Sequence, residues 1–247
     1  MMARDLARML DPVMFATDCG VTPDGWQAKL LRDQPRRSLL LCSRQSGKST
    51  VTALMALWTA IYQAPSLIVI LSPSQRQSAE MFRTLMQFHA KLDGAPELTQ
   101  ESVTKTTFAN GSRILSLPGT EKTIRGIANV SLAIIDEAAR VEDQLLAAVR
   151  PMLATSNGKL VALSTPAGRR GWYYEAWTDG EDWHRTKVAA SDCPRISQAF
   201  LDEELRELGA QRFSEEYGLK FVDPDEAVFP SEIIAAAFTP HVVPLWR

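Results

Sequence analysis

Short, wholly apolar runs alternate along this chain with stretches of helical period. Residues 39–41, 67–71, 132–135 and 160–163 are continuous apolar runs of strand length. Strands covered on both faces read this way, because neither side of the pleat meets water. Between them, Val51, Leu54, Met55, Trp58, Ile61 and Tyr62 recur on one helical face, predicting a helix over 49–62 that ends at Ala64-Pro65. Ser74 with Gln77 has the spacing of a capping box and opens a helix to about residue 92, with Phe82, Leu85, Met86 and Leu92 as its core stripe. Residues 141–153 and 172–177 predict further helices, and 183–189 a strand. Strands alternating with helices imply an α/β domain, a mainly parallel sheet with helices on both faces.

The remaining stretches are less regular. Residues 1–20 predict one short amphipathic helix carrying Leu6, Met9 and Leu10, broken at Asp18-Cys19-Gly20. Pro23-Asp24-Gly25 opens a second helix through Leu31. Residues 103–108 and 112–117 flank Asn110-Gly111, the preferred pair for a two-residue hairpin turn. Residues 118–127 read as a polar loop. Two acidic helices, 197–208 and 211–217, each stop at a glycine, Gly209 and Gly218. Residues 219–222 could add an edge strand. From Asp223 the composition turns to proline, acid and small residues, which predicts a linker or lid over 223–247 behind a domain of residues 1–222, with a helical lead-in to about residue 35.

Composition narrows the picture in three ways. A length of 247 residues suits one large domain plus a tail. A net charge of −2 gives no bulk attraction for nucleic acid, so any DNA contact has to be local. The three cysteines, Cys19, Cys42 and Cys193, lack metal spacing and form an odd set, which predicts a reduced, cytosolic chain. His89, His184 and His241 are too scattered to form a ligand pair. No apolar run reaches the length of a membrane span, and the acid-bearing N-terminus is unlike a secretory leader.

The chemistry gathers after the first apolar run. Leu39-Leu40-Leu41 leads into Cys42-Ser43-Arg44-Gln45-Ser46-Gly47-Lys48-Ser49-Thr50 and then a helix. Strand, tight polar loop and helix make a phosphate loop, whose inward N–H groups and helix N-terminus receive a nucleotide phosphate. Lys48 is placed to reach the β and γ phosphates, and the Ser49 hydroxyl to hold Mg2+. The loop is deviant, since Cys42 stands where a glycine usually begins it. Gln27, 21 positions before Lys48, has an amide able to read adenine through a donor and an acceptor. The run 132–135 ends in Asp136-Glu137. Asp136 suits Mg2+, and Glu137 suits a base that takes a proton from the attacking water. Ser164-Thr165-Pro166 ends the neighbouring strand, where a hydroxyl can sense a bound phosphate. Candidates for the cation that stabilises charge on the transferred phosphoryl group are Arg44 within the loop, Arg125, Arg140, and Arg169 or Arg170.

Taken in order, these segments resemble the ATPase domain of the large terminase subunit, the DNA-packaging motor of tailed bacteriophages. Trp26-Gln27 is similar to its adenine segment, and Ser43 to Ser49 to its deviant phosphate loop, with an arginine four places before the lysine. Arg125-Gly126 followed by Ile134-Ile135-Asp136-Glu137-Ala138, then Val149-Arg150-Pro151-Met152-Leu153 and Leu163-Ser164-Thr165-Pro166-Ala167-Gly168, follow the family's order, and Phe221-Val222-Asp223 to Val228-Phe229 resembles its exit from the domain. The resemblance implies a P-loop NTPase of the additional-strand catalytic-glutamate type. ATP and Mg2+ are its implied cofactors. ATP binding falls to Gln27 and residues 43–50. Mg2+ falls to Ser49 and Asp136, catalysis to Glu137 with Arg44 and Arg125, and coupling to Ser164 and Thr165. It also implies a ring, commonly of five, on the portal protein of a procapsid in the host cytoplasm, with double-stranded DNA and a small terminase subunit as partners and no membrane. The family's C-terminal nuclease domain is expected to lie outside this chain. Two rivals remain. A superfamily 2 helicase-like translocase needs a second motor domain, for which the roughly 80 residues after Thr165 are too few. A nucleotide-gated assembly module with little turnover has no need of Glu137.

Overall fold

A computed structural model describes residues 2–223 together with 233, 236 and 237. The described chain runs α1 (Met2–Leu10), α2 (Pro12–Asp18), α3 (Gly25–Asp33), β1 (Arg37–Cys42), α4 (Lys48–Tyr62), β2 (Leu67–Ser72) and α5 (Gln75–Lys91). It continues through β3 (Leu98–Glu101), β4 (Lys105–Phe108), β5 (Arg113–Pro118), α6 (Glu121–Ile124) and β6 (Leu132–Asp136). Then follow α7 (Asp143–Ala154), β7 (Lys159–Ser164), α8 (Gly171–Thr178), β8 (His184–Val188) and α9 (Gln198–Glu216). One sheet of eight strands has the order β3-β4-β5-β2-β6-β7-β1-β8. From β5 to β8 every pairing is parallel, and β3 and β4 extend it as an antiparallel ribbon.

The apolar runs are continuous because alternate residues enter two different cores. Leu40, Ile68, Ile70, Ile134, Val161 and Leu163 face α2, α3, α4 and α5, where Phe15, Leu30, Leu54 and Leu85 pack against them. Leu39, Leu41, Val69, Leu71, Ile135 and Ala162 face the other layer, packing with Val149 and Met152 of α7 and Trp172 and Tyr173 of α8. A sheet covered on both faces leaves the strand ends as its open polar region. The carboxyl ends of β1, β6 and β7 lie side by side, with β7 between the phosphate-loop strand β1 and the acid-bearing strand β6. In open parallel sheets, ligands bind beyond those ends.

Several sequence expectations are corrected. The single helix expected over residues 1–20 is two helices, because Asp11 caps a fresh start: its Oδ1 accepts from Val13 N at 3.0 Å, and Pro12 takes the first helical position. The turn at 109–111 is a three-residue loop rather than a two-residue one. Phe108 pairs with Ser112, Gly111 N donates back to Phe108 O at 2.9 Å, and Gly111 alone takes a positive φ of 86°. The polar loop 118–127 contains the single-turn helix α6. β3 was not anticipated; Leu98-Thr99-Gln100-Glu101 is too polar to read as a strand, yet it suits a sheet edge. Residues 219–222 form no strand, and Leu219 has a φ of 56°. The acidic helices are present as α9, interrupted at Gly209 (φ 75°, ψ 162°). The linker expected over 223–247 lies outside the described residues, apart from 223, 233, 236 and 237. No helix among the described residues is long and apolar enough to cross a membrane.

Candidate functional site

Cys42 is the last residue of β1, and Ser43 N still donates to Val188 O at 2.9 Å. The strand therefore runs one residue into the motif, and extended backbone at position 42 has no need of glycine. The turn is made instead at Gln45 (φ 58°) and Gly47 (φ 86°), with Ser46 Oγ donating to Ser43 O at 2.8 Å. Gly47 is demanded by more than its φ, since a Cβ there would stand 2.6 Å from Gln27 Nε2.

Gln27 is buried directly beneath the loop. Its Oε1 accepts from Asp24 N at 2.8 Å and its Nε2 donates to Gly47 O at 3.2 Å. A solvent-facing role for Gln27 at the start of its helix is excluded by this burial. Both ends of the amide serve the chain itself, so reading a base would require these contacts to open. Arg195 is a second brace that the sequence did not signal. It donates from Nη2 to Ser46 O at 3.1 Å and from Nη1 to Asp24 Oδ1 at 2.6 Å.

Lys48 begins α4 and is buried, with Nζ 3.4 Å from Glu137 Oε1. Ser49 and the half-buried Thr50 follow it. Ser49, Asp136 and Glu137 line one cavity of about 230 Å³ with Gln77, Glu80 and Met81. Asp136 ends β6 and is 8% exposed. Burial first, and the neighbouring Glu137 carboxylate second, push its pKa from 3.8 up to about 6, against the pull of Lys48 and the bond from Glu137 N. Glu137 takes a left-handed backbone (φ 50°, ψ 45°), rare for a side chain of its size and common at functional sites. It opens the 3-10 turn Ala138–Arg140, and its Oε2 accepts from Arg140 Nη1 at 2.9 Å.

The turn after β7 closes the arrangement. Ser164 Oγ accepts from Ala139 N at 3.2 Å, and Thr165 Oγ1 accepts from Arg140 Nη1 at 2.9 Å. Tyr173, buried against β1, donates to Leu40 O at 2.9 Å. Lys48, Ser49, Asp136, Glu137, Ser164 and Thr165 are thus brought together. Two of the arginines proposed from sequence are engaged by other carboxylates. Arg44 is exposed and forks onto Glu216 at the end of α9, at 2.9 and 3.1 Å, and that pairing raises its pKa. Arg125 follows α6, and its side chain pairs with Glu121 at 2.6 Å. Sequence reasoning missed Glu216 and the contacts of Arg140, because both depend on packing between distant segments.

Ser49 and Asp136 fit Mg2+. The ion keeps several waters and usually takes one or two protein oxygens besides phosphate. Among the described residues no three His, Cys, Asp or Glu side chains gather as a metal cluster. Asp136 is buried, and its pKa is raised. The sign of that shift makes a prediction. An acid whose folded pKa exceeds its unfolded value binds its proton more tightly when folded. It therefore destabilises the fold in full above about pH 6, and the cost vanishes as the pH falls through about 4. About two units correspond to about 3 kcal/mol. Asp136→Asn is expected to raise the melting temperature of the nucleotide-free protein at pH 8 by on the order of 10 °C, with the gain shrinking toward pH 4. A lower melting temperature at pH 8 would show that burial does not strain this carboxylate.

A phosphate loop on β1, an acid pair on β6 and an added strand between them define a P-loop NTPase fold of the additional-strand catalytic-glutamate type. Residues 39–236 match the family described as terminase large subunit, T4likevirus-type, N-terminal, and the chain belongs to that family. It is similar to the large terminase subunits of Thermus phage G20c and Thermus virus P23-45, each 22% identical over 85% of this chain and 51% of the relative. The chain spans about half the length of the curated relatives it matches. Among solved structures, the large terminase ATPase domain of Thermus phage P74-26 aligns with a TM-score of 0.73 at 22% identity, covering 84% of this chain and 97% of that one. The HK97 bacteriophage large terminase aligns at 0.66 and 19% identity, covering 81% of this chain and 50% of that one. The large terminase of another thermophilic bacteriophage, in complex with ADP, aligns at 0.60 and 12% identity, covering 77% and 49%.

Proposed function

We propose that this chain is the motor domain of a viral DNA-packaging terminase, coupling hydrolysis of ATP to movement of double-stranded DNA into a procapsid. The observation that carries the reading is Glu137. It directly follows the acid-bearing strand in a left-handed backbone and faces Lys48 of the phosphate loop at 3.4 Å. A carboxylate beside the lysine that receives phosphate is where a base for the attacking water belongs.

The phosphate loop, residues 43–50, binds the triphosphate, with Lys48 as its cation. Ser49 and Asp136 hold Mg2+, which supplies charge neutralisation on the phosphates. Glu137 accepts the proton of the nucleophilic water. Gln27 keeps the loop in shape and, where its amide contacts exchange, reads adenine. Ser164 and Thr165 register the state of the site. The ADP complex of the thermophilic-phage relative supports adenine nucleotide as the ligand. Arg44 acts within its own chain once parted from Glu216, and Arg125 acts on a neighbour's site. Residues 1–222 form the motor, and 223–247 lead toward a nuclease domain. The partners are a portal protein, a small terminase subunit and further copies in a ring of five, assembled in the host cytoplasm.

The test is ATP turnover per chain as protein concentration rises, for the parent and for Arg125→Ala. Specific activity that climbs with concentration in the parent alone supports a site completed by a neighbour. Constant activity that survives the substitution removes Arg125 from catalysis and leaves Arg44 as the cation. Absence of both turnover and nucleotide binding, with DNA present, would sink the ATPase reading.

A further inference from the structure

The residue that joins the acid pair to the turn after β7 is Arg140. One amino group of its guanidinium, Nη1, donates to Glu137 Oε2 and to Thr165 Oγ1, each at 2.9 Å. The other, Nη2, lies 3.5 Å from Pro166 O and 3.7 Å from Glu216 Oε1. The main chain repeats the link. Arg140 N donates to Glu137 O at 2.8 Å, and Ala139 N to Ser164 Oγ at 3.2 Å. The turn that carries the base therefore leans on the Ser164-Thr165-Pro166 turn through backbone and side chain together.

We propose that Arg140 is a positioning residue, one that fixes the carboxylate plane of Glu137 and ties it to Thr165. The inference rests on the reading of Glu137 as the base. Each carboxylate oxygen has its own cation, Oε1 facing Lys48 at 3.4 Å and Oε2 facing Arg140. A phosphate chain in the loop competes for Lys48 and frees Oε1. Arg140 is held through Nη1 on Thr165 and through Nη2 beside Pro166 and Glu216, so Oε2 stays fixed and Oε1 is the oxygen offered to water. Because a single nitrogen holds both partners, a shift of the Thr165 turn reorients Glu137. The planar fork of arginine makes these contacts at once, whereas a lysine ammonium on the same backbone has one flexible point charge. This role differs from that of an arginine finger, which stabilises charge on the phosphoryl group directly.

The test compares Arg140→Ala, Arg140→Lys, Thr165→Val and Glu137→Gln, singly and in pairs. The readouts are ATP turnover, including single-turnover rates, and titration with a fluorescent ADP. Arg140→Ala is expected to lower kcat by on the order of 100-fold, as misplacement of a reacting group does. ADP affinity should change by less than about threefold, and Arg140→Lys should restore little of the rate. Added to Glu137→Gln, Arg140→Ala should cost nothing further, because it acts through that carboxylate. A further loss on that background would overturn the proposal in favour of a direct transition-state role. An unchanged kcat in Arg140→Ala, in a parent that turns over ATP, would overturn it while leaving the ATPase reading intact. The link is also read without nucleotide, by urea unfolding. Arg140→Ala and Thr165→Val should shift the midpoint non-additively, and additive shifts would overturn the tie between them.

Discussion

Glu137→Gln is expected to cut ATP turnover by about 1,000-fold, within the range seen when a general base is removed, while nucleotide affinity stays near that of the parent. The amide is close in shape to the carboxylate, and its oxygen can still accept from Arg140 Nη1. What it loses is the ability to accept the proton of the attacking water. Nothing in the phosphate loop is altered, so phosphate release and ADP titration should separate cleanly. The backbone supplies a control. Glu137 holds a φ of 50°, a conformation that costs a residue with a Cβ about 1–2 kcal/mol and glycine almost nothing. Glu137→Gly should therefore be as inactive as Glu137→Gln and melt no lower than the parent, despite losing contacts to Lys48 and Arg140. A chain that keeps strain at the very residue assigned as base is spending stability on function. Unchanged turnover in Glu137→Gln would remove Glu137 from proton transfer and return the nucleotide-gated module to the front.

Much of this was readable from local pattern. The runs at 39–41, 67–71, 132–135 and 160–163 became β1, β2, β6 and β7 because period-two burial on both faces leaves an unbroken apolar string. Asp136 and Thr165 stand at the ends of such runs, and Lys48 opens the helix across the short loop that follows the first of them. What escaped was set by contacts across long separations. Glu216 captures Arg44 over 172 positions of sequence, and Arg195 braces Ser46 over 149. No periodicity carries that information. The assignment of Gln27 to adenine followed from its amide chemistry taken together with the motifs that come after it. Its burial beneath Gly47 depends on how α3 packs under the loop, which a list of donors and acceptors does not contain. The hairpin at 109–111 shows a subtler limit. Asn-Gly favours a two-residue turn, but the pairing of Phe108 with Ser112 leaves three residues to close it, and Gly111 alone supplies the left-handed step.

Lys48→Ala should differ from Glu137→Gln by losing affinity as well as rate. The ammonium is a charged donor to phosphate, and such a bond contributes about 1.5–3 kcal/mol, so ATP affinity should fall roughly 10- to 100-fold. Turnover at saturation should fall a further 100-fold or more, the scale for removing one donor from a preorganised charge-stabilising site. The nucleotide-free protein should also reveal the loss. Lys48 is the cation that lowers the pKa of Asp136, and it faces Glu137 at 3.4 Å. Without it, burial and a like charge are opposed only by the bond from Glu137 N, and the pKa of Asp136 rises above about 6. The sign follows. The added cost applies where Asp136 is ionised, so the melting temperature of Lys48→Ala should lag the parent most at pH 8 and converge with it as the pH falls toward 4. Pairing the substitution with Asp136→Asn should recover most of that lag without recovering turnover. ATP affinity and rate equal to the parent's would sink the phosphate-loop reading. A pH-independent melting deficit would show that Lys48 supports the fold by packing, with the acid pair indifferent to its charge.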